Sequence, residues 1–591
     1  MALLEPLRRA KRQVAADLRA DPYLPYILLA ALLLSSFWVW HRLPNFATRD
    51  ERWRVVDPVE VLATLLDDPR IGAVPDGVGY WRTYGAAMYL SALALIPVLV
   101  VVLATDALPA FSDMGRHLDV DFWTHWLRTP AWIWTGSVLL VRLANVAMAV
   151  GCVYVVYRIG TTLRDRTTGR LAAALLTVTW AVLILAHEGG EDIPSLFFLL
   201  LSLYFAIRYV ETGVDRLFYW GALFGGVSIA FKLSGGVSAV MLGVAHLQRA
   251  RRSEAGLVSG TVRPRFLVTG MALGIVTIVV GFPSIVFGAP SEFVARLARA
   301  FGSKSQPHGW LVQPSWWWIL RGYLHGAGLP LAVALAGGAG AALARIREDS
   351  LAADGLRMAL VGVGVYLAVF SSWRYVRTHH LLPVFALLVV VLAVGLARLR
   401  ERRSAVGRAL VAVLLVTSAI YAGVGTVAYA SQPRDQAVDY LRSEADANDT
   451  IETYTYDPQD AAVPHTDRVE ARFGVGADSF EFRCPAYVVL NYHNSILYLA
   501  PDSWGKRAEV LSNEGVEEHV RTLLAEDTYP YEIAGEYGRT PRFLDGKGRA
   551  PMAQRLLRVS LRPRTMQYGD PQDMGVDQYT VVLRRTGPCQ G

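Results

Sequence analysis

Cysteine is scarce in this chain: 591 residues contain only three, Cys152, Cys484 and Cys589. No CxxC or Cys/His ligand spacing occurs, which argues against a structural zinc site and a dithiol redox motif. Lysine is nearly missing too. Among 58 basic residues only Lys11, Lys232, Lys304, Lys506 and Lys547 are lysine. That bias reflects genome composition and carries no mechanism. No small-residue cleavage site follows the first apolar run, so the N-terminus, with Arg8, Arg9, Lys11 and Arg12, reads as a retained helix and not a removed signal peptide. No internal repeat is visible. The formal charge of +7 does not mark a nucleic-acid binder, because the arginines recur in short clusters between apolar runs.

What is abundant is apolar sequence. Hydrophobic residues make up 53% of the chain, and many runs reach the roughly 20 residues that cross a bilayer. The expected class is a polytopic α-helical membrane protein. Strong spans read at 24–42, 136–157, 171–187, 193–211, 217–231, 235–248, 266–288, 323–344, 356–372, 379–397 and 408–429, about eleven in all. Arg-rich connections follow alternate spans and, with the basic N-terminus, define a cytoplasmic side. The other connections fall outside. Residues 85–105 are apolar enough to span, but a lone crossing there would invert every later Arg cluster. They are therefore expected to lie at the outer face as an interfacial or re-entrant helix. Trp123, Trp126, Trp132 and Trp134 read as interface anchors, and Trp316, Trp317 and Trp318 as an aromatic belt.

After about 430 the composition changes. Residues 1–430 read as the membrane domain and 431–591 as a small extracytoplasmic α/β domain. In it an amphipathic helix over 433–448 precedes strand-like runs at 451–456, 486–492, 556–561 and 579–585. Cys484 and Cys589 could pair there or stay free. Asn448-Asp449-Thr450 is a weak glycosylation sequon.

Polar residues gather at the outer mouths of the spans. Asp50-Glu51 sits in RDERW, about ten residues past the first span. As an isolated pair it would read as a solvated charge cluster, but the other mouths are unusual as well. His187-Glu188-Gly189-Gly190-Glu191-Asp192 packs three carboxylates into one short turn, costly near hydrocarbon without partners or a cavity. Capping of the next helix accounts for Asp192 alone. Lys232 interrupts GVSIAFKLSGG; it either snorkels to the interface or holds a phosphate. Arg374, Arg377, His379 and His380 lie outside, against the chain's own charge trend, and bidentate arginine suits phosphate oxygens. Their bland alternative is pairing with the acidic turn. The loop 289–322, with Glu292, Arg296, Arg299, Lys304 and His308, could form a lid. Carboxylates and cations on one side of a bundle suit a reaction in which a phosphate leaves while a base takes the nucleophile's proton.

The order of these stations resembles the GT-C glycosyltransferases, in the branch of protein O-mannosyltransferases and lipid A aminoarabinose transferases. The stations are RDERWRVVDPVEVLATLLDD, GYWRTYGAAMYLSALAL, VRLANVAMAVGCVYVVYRIG, LRDRTTGRLAAALLTVTWAVLILAHEGGEDIPSLFFLLLSLYFAIRY, GALFGGVSIAFKLSGG and WRYVRTHHLLPVFALL, across about 20–400. No single motif is specific; order and sidedness carry the likeness. The resemblance implies a polyprenyl-phosphate-linked sugar as donor, a protein, glycan or lipid acceptor, and inversion at the sugar carbon. It implies Asp50 as general base, with Glu51 beside it and Asp192 as the second acid. Lys232, Arg374, Arg377 and His380 become contacts to the donor phosphate, and His187, Glu188 and Glu191 partners of the acidic site. The chain departs from the pattern in Arg52 and Arg54 flanking Trp53, in a long 105–135 segment, and in its acidic, Gly-rich turn. The extra acids could admit a divalent metal, but Lys232 and Arg374 can balance a phosphate, so no cofactor is expected. The alternative class is a transporter or flippase.

Overall fold

The computed structural model describes residues 4–74, 85–112, 122–252, 257–288, 290–291, 293–295, 297–298, 313–430, 433–454, 460–466, 469–473, 480–501, 515–526, 528–563 and 579–589. Of the 289–322 loop, Glu292, Arg296, Arg299, Lys304 and His308 lie outside these.

The membrane part is a helical bundle: α1 (Leu4–Ala20), α2 (Leu24–Ser36), α3 (Arg49–Asp67), α4 (Gly85–Ala104), α5 (Phe122–Arg128), α6 (Ala131–Leu163), α7 (Arg166–Thr177), α8 (Trp180–Ala186), α9 (Asp192–Thr212), α10 (Asp215–Phe231), α11 (Val237–Arg251), α12 (Pro264–Gly281), α13 (Ser315–Ala327), α14 (Leu329–Leu343), α15 (Leu351–Ser371), α16 (Leu382–Arg402) and α17 (Ser404–Ala430). Among the described residues seven helices are long and apolar enough to cross a membrane, or ten if three bent pairs each count as one. This is a multi-pass membrane protein. Helix α16 is apolar on every side and buried along nearly its whole length, which makes it the centre of the bundle.

Several runs that read as single spans are broken. The 171–187 run bends by 59° between α7 and α8, and the 323–344 run falls across α13 and α14, which meet at 111°. The second break has a local cause. Gly328 takes φ +71, a conformation that L side chains resist, and Pro330 then starts α14. The 24–42 run is helical only to Ser36. Residues 37–48 leave the helix and fold over the bundle, with Trp38 and Arg42 at positive φ. The expected helix at 85–105 is one continuous 20-residue helix, α4; its start packs on Gly281 and Phe282, and Val98 further along packs on Gly136 at the start of α6. Leu93, Ile96, Val100, Val101 and Leu103 are exposed along it, as on a face toward lipid.

The tryptophan reading also needs correction. Trp123, Trp126 and Trp134 are fully buried in a core shared with Phe46, Phe122 and Ile133; only Trp132 is exposed. Trp317 and Trp318 are buried as well, leaving Trp316 outside. Aromatic content alone cannot separate an interface belt from a core, since both use large rings.

After α18 (Pro433–Glu444) comes a five-stranded sheet of β1 (Thr450–Thr453), β2 (Glu470–Phe473), β3 (Tyr487–Asn491), β4 (Tyr531–Tyr537) and β5 (Thr580–Arg585), in the order β2-β1-β3-β5-β4. The first three strands run parallel, and β5 is antiparallel to both β3 and β4. Central β3 is buried at every position, as its YVVLN composition demands. Cys484 and Cys589 form a disulfide. The expected strand at 556–561 is helical: it belongs to α20 (Met552–Leu561), which follows α19 (Val516–Ala525). Its burial repeats every four residues, at Arg555 and Val559, with Leu557 and Leu561 exposed, a helical period that a six-residue window hides.

This part shares a core with the bundle. Ala437, Leu441, Ile451 and Ala461 pack with Val55, Val59 and Trp123. His465 Nε2 lies 2.7 Å from the Trp126 carbonyl. Tyr421 of α17 places its hydroxyl 2.7 Å from the Val559 carbonyl of α20 and 3.0 Å from that of His325. Replacing Tyr421 by Phe leaves two buried carbonyls without that donor. We expect a loss of about 1–3 kcal/mol, read as earlier release of the C-terminal part in thermal proteolysis; an unchanged profile would show that this contact does not hold the two parts together.

Candidate active site

The site is built on the N-terminus of α3. Thr48 caps the helix by accepting from the Glu51 N–H at 3.2 Å, which directs the first turn inward. Glu51 is fully buried. Its Oε1 accepts from Arg142 Nε at 2.7 Å and the Gly189 N–H at 2.8 Å; its Oε2 accepts from Arg142 Nη2 at 2.8 Å and the Ala47 N–H at 2.6 Å. Four donors saturate the carboxylate, so its charge is spent internally. Arg142 Nη1 donates onward to the carbonyls of Val39 and His41 at 2.8 and 2.7 Å. One buried arginine of α6 thus pins both the turn after α2 and the start of α3.

Gly189 packs closely on α6: a Cβ there would lie 2.6 Å from Val141 Cγ1, so a larger residue would push the turn or Val141 aside. The same turn is held by Asn145, whose Nδ2 donates to the Glu188 carbonyl at 2.5 Å. His187 Nδ1 sits 2.7 Å from the Leu183 carbonyl. His41 packs edge-on to Tyr429. Glu188 is buried within electrostatic reach of Arg142 and Tyr429.

Asp50 precedes Glu51 but has a different environment. It is partly exposed, in the first turn of α3, where the helix dipole favours negative charge. Its field acts on Arg54 and on Asp192. Arg54, buried one turn along, bonds Glu191 Oε2 through Nε at 2.8 Å and Nη2 at 2.7 Å. Burial opposes its charge, but Glu191, Asp50 and Asp57 outweigh that and raise its pKa. Lys232 closes the group. Its Nζ donates to Asp192 Oδ1 at 2.5 Å and lies 3.9 Å from Glu191 Oε1. Lys232 therefore turns inward and does not snorkel, and the Asp192 carboxylate serves an ion pair; the start of α9 has no side-chain cap.

The structure thus joins Asp50, Glu191, Asp192 and Lys232 in one network with Arg54, and sets Glu51, His187 and Glu188 in a supporting layer with Arg142. Arg374, Arg377 and His380 form a neighbouring group. His380 Nδ1 accepts the Arg377 N–H at 3.0 Å, the Arg377 guanidinium lies 4.9 Å over Tyr375, and Arg374 is exposed, with no ion pair among the described residues. The acidic turn pairs with Arg54 through Glu191 and with Lys232 through Asp192. Two links connect the loop to the turn carrying Lys232: Tyr366 of α15 donates to the Ser234 carbonyl at 2.9 Å, and Phe370 of the same helix packs on Trp373 and His380. Sequence reading missed Arg142 and Arg54. Arg142 carried a usable signal, a lone cation inside the apolar 136–157 run. Among the described residues no group of three or more His, Cys, Asp or Glu is arranged to hold a metal ion.

Residues 122–280 match the family described as dolichyl-phosphate-mannose-protein mannosyltransferase. No curated protein matches the chain. Similar solved structures include the oligosaccharyltransferase AglB from Archaeoglobus fulgidus, in complex with an inhibitory peptide and a dolichol-phosphate, at 12% identity and TM-score 0.48 over 95% of this chain and 88% of that one. ArnT from Cupriavidus metallidurans bound to undecaprenyl phosphate matches at 13% identity and TM-score 0.46, over 72% of this chain and 73% of that one. Its apo form matches at 13% and 0.48, over 88% and 97%. The matched segment runs from α5 to α12 and contains Arg142, the acidic turn and Lys232. Through that segment the chain is similar to the polyprenyl-phosphate-dependent mannosyltransferases of the GT-C class, the resemblance that its ordered motifs carry.

Proposed function

We propose that this chain is a membrane glycosyltransferase that moves a sugar from a polyprenyl phosphate to a hydroxyl or amine acceptor at the extracytoplasmic face, with inversion. The observation that carries this reading is the division of labour within the acidic pair. Glu51 is consumed by four donors, while Asp50 is partly exposed and acts electrostatically on Arg54 and on Asp192, the partner of Lys232. In this reading Asp50 takes the acceptor's proton as the acceptor oxygen or nitrogen bonds to the sugar carbon. The carbon–oxygen bond to phosphate breaks, and the phosphate leaves with the bonding electrons. Lys232 meets the developing phosphate charge, supported by Arg374, Arg377 and His380 of the adjacent loop. Asp192 and Glu191 hold Lys232 in place, and Glu51 with Arg142 sets the angle of α3. Residues 1–430 would carry the chemistry, and the C-terminal part from 431 would lie on the acceptor side.

The test is Lys232→Met against Lys232→Arg, assayed for sugar transfer from radiolabelled polyprenyl-phosphate sugars. A charged hydrogen bond to phosphate is worth about 1.5–3 kcal/mol, so Met is expected to weaken donor use by roughly 10- to 100-fold. Arg should recover part of it. Equal rates in all three proteins would remove Lys232 from the donor site. Lipid-phosphate binding without transfer, by wild type across a broad donor panel, would favour a flippase.

A further inference from the structure

At the N-terminal end of the chain, α1 makes an abrupt angle with α2. The two axes differ by 111°. Helix α2 has the surface of a segment in lipid: Tyr26, Leu29 and Leu33 are exposed at 73%, 51% and 59%. Tyr23, also exposed, lies at its first turn under the Arg170 guanidinium, 4.6 Å from the ring centroid. Tyrosines at the end of an apolar helix mark the membrane–water boundary. With α2 near the bilayer normal, α1 leaves that boundary about 20° from the membrane plane and runs roughly 25 Å along it at 1.5 Å per residue.

The charge of α1 suits that position. Arg8, Arg12 and Arg19 fall on one stripe at helical spacing, with Arg9 and Lys11 beside it, and all five are exposed. Among the described residues Glu5 pairs with the group, meeting Arg9 and Arg12 at 3.1 and 3.3 Å. The opposite edge is fixed to the protein. Asp17 takes the Tyr154 hydroxyl at 2.7 Å and Arg158 at 3.0 Å, Leu18 packs on the main core, and buried Asp21 binds Arg170 and Tyr157 at 2.9 and 2.8 Å. One edge of the helix is pinned to the bundle, with its cations on the other.

We infer that α1 is an interfacial helix whose basic stripe docks on anionic phospholipid headgroups. The occupant is argued from charge complementarity and from continuity with the lipid-facing surface of α2. Each basic residue near an anionic surface strengthens such contact by about fivefold. The inference rests on α2 lying in the bilayer, and is independent of the proposed sugar transfer.

The test uses the full-length protein in nanodiscs. Cys152 is buried and the other two cysteines are disulfide-bonded, so Ala16→Cys, at an exposed position beside the stripe, can be labelled selectively with an environment-sensitive fluorophore. Quenching by headgroup-nitroxide lipid is measured in phosphatidylcholine alone and with added phosphatidylglycerol. The expected result is stronger quenching with the anionic lipid, lost at high salt and in Arg8→Gln/Arg12→Gln/Arg19→Gln. Equal quenching in the two lipid compositions overturns the proposal, and that comparison needs no variant beyond the label site. Quenching that rises with anionic lipid but is unchanged in the triple variant would overturn the assignment to this stripe.

Discussion

Asp50→Asn is expected to lower sugar transfer by about 10²- to 10⁴-fold, the range for removing a general base, while the purified protein keeps its thermal midpoint and its retention of lipid phosphate. The separation follows from where the two members of the pair sit. Asn keeps the size of Asp50, its place in the first turn of α3 and a side-chain oxygen that can still accept a hydrogen bond, while the charge of a partly exposed group is removed. That charge does contribute to the field on Arg54, but Arg54 keeps its two bonds to Glu191. The fold should therefore register little. A drop in thermal midpoint comparable to the loss of a core contact would mean that Asp50 is structural. Transfer at the wild-type rate would remove it from the chemistry, and with it the inverting mechanism drawn around it.

The parts of this site legible in the sequence were those where charge stood against an apolar background. Asp192 and Lys232 stand out because each interrupts a hydrophobic pattern at a helix end, and they form one ion pair; Asp50 stands out only by its place just past the first span. Their partners were harder to see. Arg54 lies within a run of mixed charge, RDERWR, where nothing in the spacing says which residue turns inward; its burial depends on Glu191, 137 positions away. The use of Glu51 was equally hidden, because Asp and Glu side by side look alike until the cap at Thr48 sends one carboxylate into the core. At the level of the fold, hydrophobic runs located the bundle but not its breaks. The bend at Gly328 is set by one backbone conformation inside a run whose average hydropathy is unchanged by it. Helix α20 was read as a strand because apolar residues at 556, 557, 559 and 561 satisfy both periods over so short a window; packing against Tyr421 and Trp317 decides for the helix. Arginine beside an aromatic is likewise silent in the sequence: Arg52 stacks 3.9 Å over Trp53.

The second large effect is expected at Arg142. Arg142 and Glu51 are both fully buried, and each is the other's principal counter-charge. Taking such a pair out of water costs several kcal/mol per ion, recovered only while both partners and their hydrogen bonds remain. Arg142→Met leaves Glu51 with two backbone N–H groups and strips the carbonyls of Val39 and His41 of a donor. We expect a loss of about 3–5 kcal/mol, the cost of breaking a buried pair from one side, seen as a lower thermal midpoint in detergent and poor recovery from membranes. Glu51→Gln should fall in the same range, since it strands the arginine. The double variant Glu51→Gln/Arg142→Met should lose less than the sum of the two, because no buried charge is then left alone. Additive losses would show that the two side chains do not act as a pair. If Glu51→Gln instead kept its stability and lost only sugar transfer, Glu51 would belong to the chemistry, and Asp50 would no longer stand apart from it. The geometry predicts the other order: Asp50→Asn silences a protein that still folds, and Arg142→Met unfolds one in which Asp50 is intact, because α3 can present its first carboxylate only while the second is anchored.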